Sequence, residues 1–286
     1  MNIAVIVNTG KKAAIDCAGR ISEMFISAGV KIIMPSKCEP YYKNLEIEYV
    51  SDHFKLFESC DLAVTVGGDG TIIHSAKHAA AYDKPMIGVN VGRLGFAAEV
   101  EPDHIDDLKR LLSGDYNIQK RMLLSVSVRR KDKSVDEFIA VNEATLARGQ
   151  MSRIIDISIS LNRSPITTYR ADGVLFSTPT GSTAYALSAG GPVISPEMQC
   201  VLLTPVCPHS LISRSVIFES DALLTAKVRV SDGTNPILSI DGEKNIEITP
   251  DDLVIIKKSD KTLKLITLYE RNFYQLLNEK LKERKS

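Results

Sequence analysis

The chain has 286 residues, enough for two modest domains or one large one, and 44% of them are hydrophobic, which excludes disorder as the default. Its 35 Lys and Arg balance 35 Asp and Glu, so no global positive field recruits nucleic acid or an anionic membrane. Five cysteines without a C-x-x-C pair exclude a structural zinc site or a disulfide framework and fit reduced thiols in a cytoplasm.

Residues 2–8 read as a buried strand with neither the charged start nor the cleavage site of a signal peptide, and no apolar run approaches a membrane span. Asn8-Thr9-Gly10-Lys11 turns into a helix with Ala14, Ile15, Ala18, Ile21, Met24, Phe25 and Ala28 on its apolar face, ended by Gly29. Residues 30–34 form a second strand, stopped by Pro35, and residues 36–50 read as irregular. Residues 62–66 are a short buried strand. After Gly67-Gly68-Asp69-Gly70-Thr71, apolar residues recur at Ile72, Ile73, Ala76, Ala79 and Ala80, which predicts a helix opening at Thr71. Residues 85–90 are another strand. Strand alternating with helix predicts an α/β domain with a Rossmann-like parallel sheet, covered on both faces. In such sheets ligands sit at the carboxyl ends of strands, where Asn8, the 67–71 loop and Asn90 all fall. Pro102 and Gly114 bracket a helix over 102–113.

The pattern changes near Asp115. Short strands are expected at 123–129, 138–147, 154–161, 166–170, 174–177, 201–206, 223–230, 237–240, 253–257 and 262–268. Such a series predicts an all-β second domain, and the interface between domains is a usual place for a ligand. The boundaries read as 1–118 and 119–268, followed by a short amphipathic helix over 273–281.

The 67–71 loop carries the clearest chemistry. Its glycines allow positive φ and close approach of a ligand, and a helix start leaves N–H groups facing the loop. That suits phosphate, with Gly67, Gly68, Gly70 and Thr71 as its binding residues. A carboxylate repels phosphate, so Asp69 makes sense as a proton acceptor or a metal ligand. A plain tight turn is the competing reading, because Asp-Gly is a common turn pair. His74, one turn further on, is either a core or surface histidine or a group facing the phosphates.

The β region holds two dense polar stretches. Asn142 and Glu143 can pair with a base edge and a sugar diol, or simply end a strand. Between Ser177 and Ser188, hydroxyls and glycines crowd together, and a short helix is expected to open at Ser182-Thr183. Small hydroxyl residues beside glycines let a planar ligand lie against backbone while hydrogen-bonded, with Tyr185 stacking on it; a serine-rich loop is the alternative. There is no G-x-x-x-x-G-K-[ST], no complete G-x-G-x-x-G and no H-E-x-x-H, and spacing assigns no Ser-His-Asp set.

Gly67-Gly68-Asp69-Gly70-Thr71, Asn90-Val91-Gly92-Arg93-Leu94-Gly95-Phe96, Val141-Asn142-Glu143, Ala171-Asp172-Gly173, Ser177-Thr178-Pro179-Thr180-Gly181-Ser182-Thr183-Ala184-Tyr185 and Cys207-Pro208-His209-Ser210-Leu211 together resemble the NAD kinase family in order and spacing. The first motif is shared with diacylglycerol and sphingosine kinases; the run ending at Tyr185 is far more specific. The resemblance implies phosphoryl transfer from ATP to the 2′-hydroxyl of the adenosine ribose of NAD, giving NADP and ADP. It implies a divalent metal ion, magnesium, and a homodimer or homotetramer whose site is shared between subunits, with no nucleic-acid or membrane partner. It also implies an α/β domain followed by a β-sandwich-like domain, with the last helix, within 269–286, returning to the first.

The roles the resemblance implies are these. Asp69 is the base. Asn142 and Glu143 bind adenosine. Asp172, Thr183, Ala184, Tyr185, Ala186, Leu187 and Ser188 complete the dinucleotide pocket, and Gly70, His74, Arg153 and Arg170 make further contacts to NAD. Arg93 serves phosphate. Glu243 joins the NAD set where the family often has Gln after Asp241-Gly242; a carboxylate there keeps acceptors and loses donors. Two other readings stand beside this one. A lipid or sugar kinase would share the glycine loop. A non-catalytic NAD or NADP sensor would keep Asn142, Glu143 and residues 183–188 without needing Asp69.

Overall fold

The computed structural model describes residues 1–92, 98–149, 154–210, 213–230, 236–270 and 272–283. Contacts divide the chain into two units, Met1–Lys120 with the segment from Leu263 onward, and Arg121–Thr262.

In the first unit, β1 (Asn2–Val7), β2 (Lys31–Pro35), β3 (Ile47–Val50), β4 (Leu62–Gly67) and β5 (Pro85–Asn90) lie in the order β5-β4-β1-β2-β3, every pair parallel. Helix α1 (Lys12–Ser27) lays Ala14, Ala18, Ile21 and Phe25 against Ile3, Val5, Val64 and Val66. The alternate residues Ala4, Ile6 and Ala63 are buried too, on the face packed by α2 (His53–Ser59) and α3 (Asp69–Ala81). Cover on both sides is why these strands read as unbroken apolar runs. Gly29 follows the C-cap of α1 at φ 77°, the left-handed turn that a glycine after a helix supplies.

Residues 36–50 are more regular than the sequence indicates. They hold a 3-10 stretch, Ser36–Tyr41, and β3, and α2 follows with Asp52 as its cap, accepting the Phe54 N–H at 2.8 Å. Elements this short show too few repeats for periodicity to register. The expected single helix over 102–113 is a 3-10 segment, Pro102–Lys109, non-helical at His104, and then α4 (Arg110–Ser113), closed by Gly114 at φ 72°.

The second unit contains β6 (Asn117–Arg129, entering from the first unit), β7 (Val135–Ala140), β8 (Glu143–Ala147), β9 (Ile155–Leu161), β10 (Ser164–Ala171) and β11 (Gly173–Ser177). After the one-turn helix α5 (Tyr185–Ser188) come β12 (Cys200–Val206), β13 (Val216–Glu219), β14 (Leu224–Arg229), β15 (Ile237–Ile240), β16 (Lys244–Glu247) and β17 (Leu253–Thr267). One sheet runs β13-β12-β11-β8-β15-β16, and the other runs β10-β9-β14-β17 with β6 between β17 and β7. The sheets are antiparallel. Leu146, Val174, Phe176 and Leu203 from the first meet Val126, Ile157, Ile159, Leu224 and Val254 from the second in one core, a β-sandwich.

The apolar-rich stretch 138–147 is not one strand. It breaks at Val141-Asn142, leaving β7 in one sheet and β8 in the other. Conversely, 253–257 and 262–268 belong to the single strand β17. Its last residues fall in the first unit, where Lys264 and Leu265 pair in parallel with Pro85 and Met86. Glu99 Oε1 accepts the N–H groups of Leu268 and Tyr269 at 2.8 and 2.9 Å, and Arg110 donates to the Leu268 carbonyl. The final described element is α6 (Phe273–Glu283).

All five cysteines are free, and burial pushes the Cys60 thiol up to about 11. No described helix is long and apolar enough to cross a membrane.

Candidate active site

The strand order β3-β2-β1-β4-β5 reverses direction between β1 and β4, and the crevice outside the carboxyl ends at such a reversal is where open α/β sheets bind ligands. Asn8 follows β1 and ties the two ends together. Its N–H donates to the Val66 carbonyl at 3.0 Å, its Oδ1 accepts from Gly10 at 3.1 Å, and its Nδ2 donates to Thr71 Oγ1 at 3.1 Å. Thr71 can fold back this way because a Cβ at Gly67 would stand 2.7 Å from its hydroxyl oxygen.

Helix α3 starts at Asp69, two residues earlier than the apolar spacing indicates, because Asp69-Gly70-Thr71 carries no apolar residue to mark the first turn. Gly68 is its N-cap and supplies no side-chain cap. The first N–H groups of this 13-residue helix therefore face the loop with the positive end of its dipole. A Cβ at Gly70 would meet nothing within 4 Å, so the space there is open.

Asn90 is 1% exposed, and its Oδ1 accepts the Gly92 N–H at 2.9 Å, while Val91 donates to the Gly67 carbonyl at 3.1 Å. The three strand ends expected to share a crevice thus lie side by side. Arg93, Leu94, Gly95 and Phe96 lie outside the described residues. His74 is exposed, its ring edge-on to His78 at 5.3 Å, and His78 stacks on Phe57. Lys11, the N-cap residue of α1, reaches toward the loop: a Cβ at Gly68 would lie 3.6 Å from its Nζ.

In the second unit, one carboxylate organises Asn142 and Glu143. Asp241 accepts the N–H groups of Val141 (3.0 Å), Asn142 (2.7 Å) and Glu143 (3.0 Å). Asp241 and Gly242 take φ of 49° and 71° in the turn between β15 and β16, and Glu243 is exposed beside them. The Asn142 carbonyl accepts the Thr178 N–H at 2.9 Å, and a Cβ at Gly181 would lie 2.1 Å from that same carbonyl oxygen. The 177–185 run is therefore wrapped onto Asn142. Three of its hydroxyls hold the run in place: Thr178 donates to Val141 O at 2.7 Å, Ser182 to Pro179 O at 2.7 Å and Thr183 to Thr180 O at 3.2 Å, while Ser177 Oγ and Thr180 Oγ1 are buried without a hydrogen-bond partner among the described residues.

A 3-10 turn, Thr180–Thr183, and then α5 replace the helix expected at Ser182-Thr183. Ala186 is buried among Ile194, Cys200 and Leu202, which pins α5 down. Tyr185 and Ser188 are exposed, Tyr185 by 46%, and Ala184 and Leu187 are half-buried. Glu143 is 7% exposed.

Asp172 and Arg170 fall elsewhere. In the antiparallel pair β8–β11, Ser177 stands opposite Glu143 and Gly173 opposite Ala147. Asp172, before β11, is thus at the other end of that strand from Thr178, about 20 Å away at ~3.4 Å per residue. There it pairs with Arg148, Nε to Oδ1 at 2.8 Å, and the carbonyl of exposed Arg170 accepts the His209 N–H at 2.8 Å. Arg153 lies outside the described residues.

Residues 3–116 match the family model of the ATP-NAD kinase N-terminal domain, and residues 141–268 match that of the ATP-NAD kinase C-terminal domain. The chain belongs to the ATP-NAD kinase family. An NAD kinase from Natranaerobius thermophilus is 41% identical over 225 residues, 78% of each chain. One from Citrifermentans bemidjiense is 32% identical over 281 residues, 98% of each. Among solved structures, a yeast NADH kinase complexed with NADH is similar at a TM-score of 0.91 and 24% identity, covering 100% of this chain and 89% of that one. An Archaeoglobus fulgidus NAD kinase in complex with ATP is similar at 0.73 and 24%, covering 97% and 98%. These two likenesses show the fold.

An ATP-NAD kinase is a phosphotransferase with an alcohol acceptor, and three of its candidate residues here escape sequence reasoning. Asp241-Gly242 signals a turn, but nothing local says that the Asp241 carboxylate reaches Asn142. Arg148 carries no motif around it. Lys11 reads as the end of a turn until the fold sets it beside Gly68.

Proposed function

We infer that this chain transfers the γ-phosphoryl group of ATP to the 2′-hydroxyl of the adenosine ribose of NAD, giving NADP and ADP. The observation that carries the reading is Asp69, set in the first turn of a glycine-opened helix at the β1/β4 reversal, in a chain matched along both units by the kinase family. Phosphoryl transfer asks for positioning, charge neutralisation and one proton acceptor. Asp69 takes the hydroxyl proton from within ~3 Å while the 2′-oxygen bonds to the γ-phosphorus and the bond to ADP breaks. The backbone of Gly67, Gly68, Gly70 and Thr71 receives phosphate oxygens at the helix start.

In the second unit, Asn142 and Glu143, held by Asp241, take the adenosine. Tyr185 offers an exposed ring for stacking, and Thr183, Ala184, Leu187 and Ser188 complete the pocket over the buried anchor Ala186. His74, Arg153, Arg170 and Glu243 remain assigned as polar contacts to NAD.

No group of three or more His, Cys, Asp or Glu stands together among the described residues. Magnesium held by triphosphate oxygens would need only one or two carboxylates from the chain. When bound, the ion would neutralise charge on the triphosphate. The separation of Asp172 and Arg170 from Asn142 and Tyr185 within one chain supports a homodimer or homotetramer in which two copies build each dinucleotide site. The free, largely buried thiols fit the cytoplasm.

The test is purified protein with ATP, magnesium and NAD, with NADP read by a coupled dehydrogenase. NADP formation is expected. NAD binding without turnover, or activity confined to a lipid or sugar, contradicts the reading.

A further inference from the structure

We propose that Lys11 is a triphosphate-binding residue, its ammonium engaging the β- and γ-phosphate oxygens of ATP over the glycine loop. The proposal rests on the kinase reading and names a contact that reading does not use.

The position of Lys11 is poor for folding and good for an anion. It is the N-cap of the 16-residue α1, where it makes no side-chain cap, and no acidic residue stands in the first turn. A cation there opposes the helix dipole. Its neighbour Lys12 has an ion-pair partner, Asp16, at 3.8 Å. Lys11 is exposed, and no side chain among the described residues pairs with its ammonium.

Its direction is set from both sides. The Lys11 N–H donates to the Asn8 carbonyl at 3.1 Å, and Asn8 in turn is fastened to Val66 and Thr71. The ammonium therefore arrives beside Gly68, where the missing side chain leaves the approach clear. Two helix N-termini, those of α1 and α3, and one unpaired ammonium then bracket the β1/β4 reversal. A polyphosphate laid across Gly68 would satisfy all three.

Lys11→Met removes the charge and keeps the length. The KM for ATP should rise about 10- to 100-fold, as loss of a charge-assisted hydrogen bond predicts, with the KM for NAD within twofold of the parent. Lys11→Arg should recover most of the loss. By calorimetric titration, Lys11→Met should lose affinity for ATP while adenosine binds as before. An ATP affinity within twofold of the parent, or an equal loss for adenosine and ATP, overturns the proposal. The titrations need no turnover, so they decide the role of Lys11 even if the parent chain forms no NADP, an outcome that would instead remove the kinase reading.

Discussion

At Gly181 a single added methyl group would collide with the backbone that the 177–185 run packs against. A Cβ there would sit 2.1 Å from the Asn142 carbonyl oxygen, a contact with backbone that no rotamer change relieves. Gly181→Ala is expected to cost about 1–3 kcal/mol, the range for overpacking. Thermal unfolding should show the loss, and the KM for NAD should rise while that for ATP holds. A melting temperature and NAD KM equal to the parent's would mean that the loop does not depend on this approach. In the sequence Gly181 reads only as part of a turn, because its partner lies far away along the chain. The turn that carries Asp69 was legible, since an apolar run precedes it and helical spacing follows. The hydroxyls of Thr178, Ser182 and Thr183 were legible as a cluster but not in their bonds, which tie the run to Val141 and to its own carbonyls.

Among elements, the turn between β15 and β16 matters more than its place on a sheet edge suggests. Its Asp241 carboxylate fixes three consecutive N–H groups at the start of β8. Asp241→Asn puts an amide donor where a carboxylate oxygen accepted, leaving N–H groups unsatisfied at about 1–3 kcal/mol. The expected outcome is a lower midpoint in urea and a raised KM for NAD; a variant matching the parent in both would show that Asn142 and Glu143 hold their conformation unaided. The long periodic elements, α1 and the strands buried on both faces, are the ones that could be read directly. The start of α3, the break between β7 and β8, and the four-residue strands β13 and β16 could not, because each is set by partners rather than by local pattern.

For the whole molecule, the change from strand–helix alternation to short strands near Asp115 gave away the α/β and all-β classes, while the sandwich arrangement was implied only by the family resemblance. A dinucleotide site built by two copies makes its own prediction. Asn142→Ala and Asp172→Ala should each be impaired alone, and dissociating and reassociating an equal mixture should restore about a quarter of parental activity, one intact site in each mixed dimer. No recovery on mixing would assign both residues to sites within one chain.

On the proposed reading, phosphoryl chemistry falls on the first unit and dinucleotide recognition on the second, and one pair of measurements on Asp69→Asn tests that division. NAD affinity by titration should stay within about threefold of the parent while NADP formation falls by 10²-fold or more, the scale of a lost general base. NADP formed at the parental rate by this variant would contradict the account.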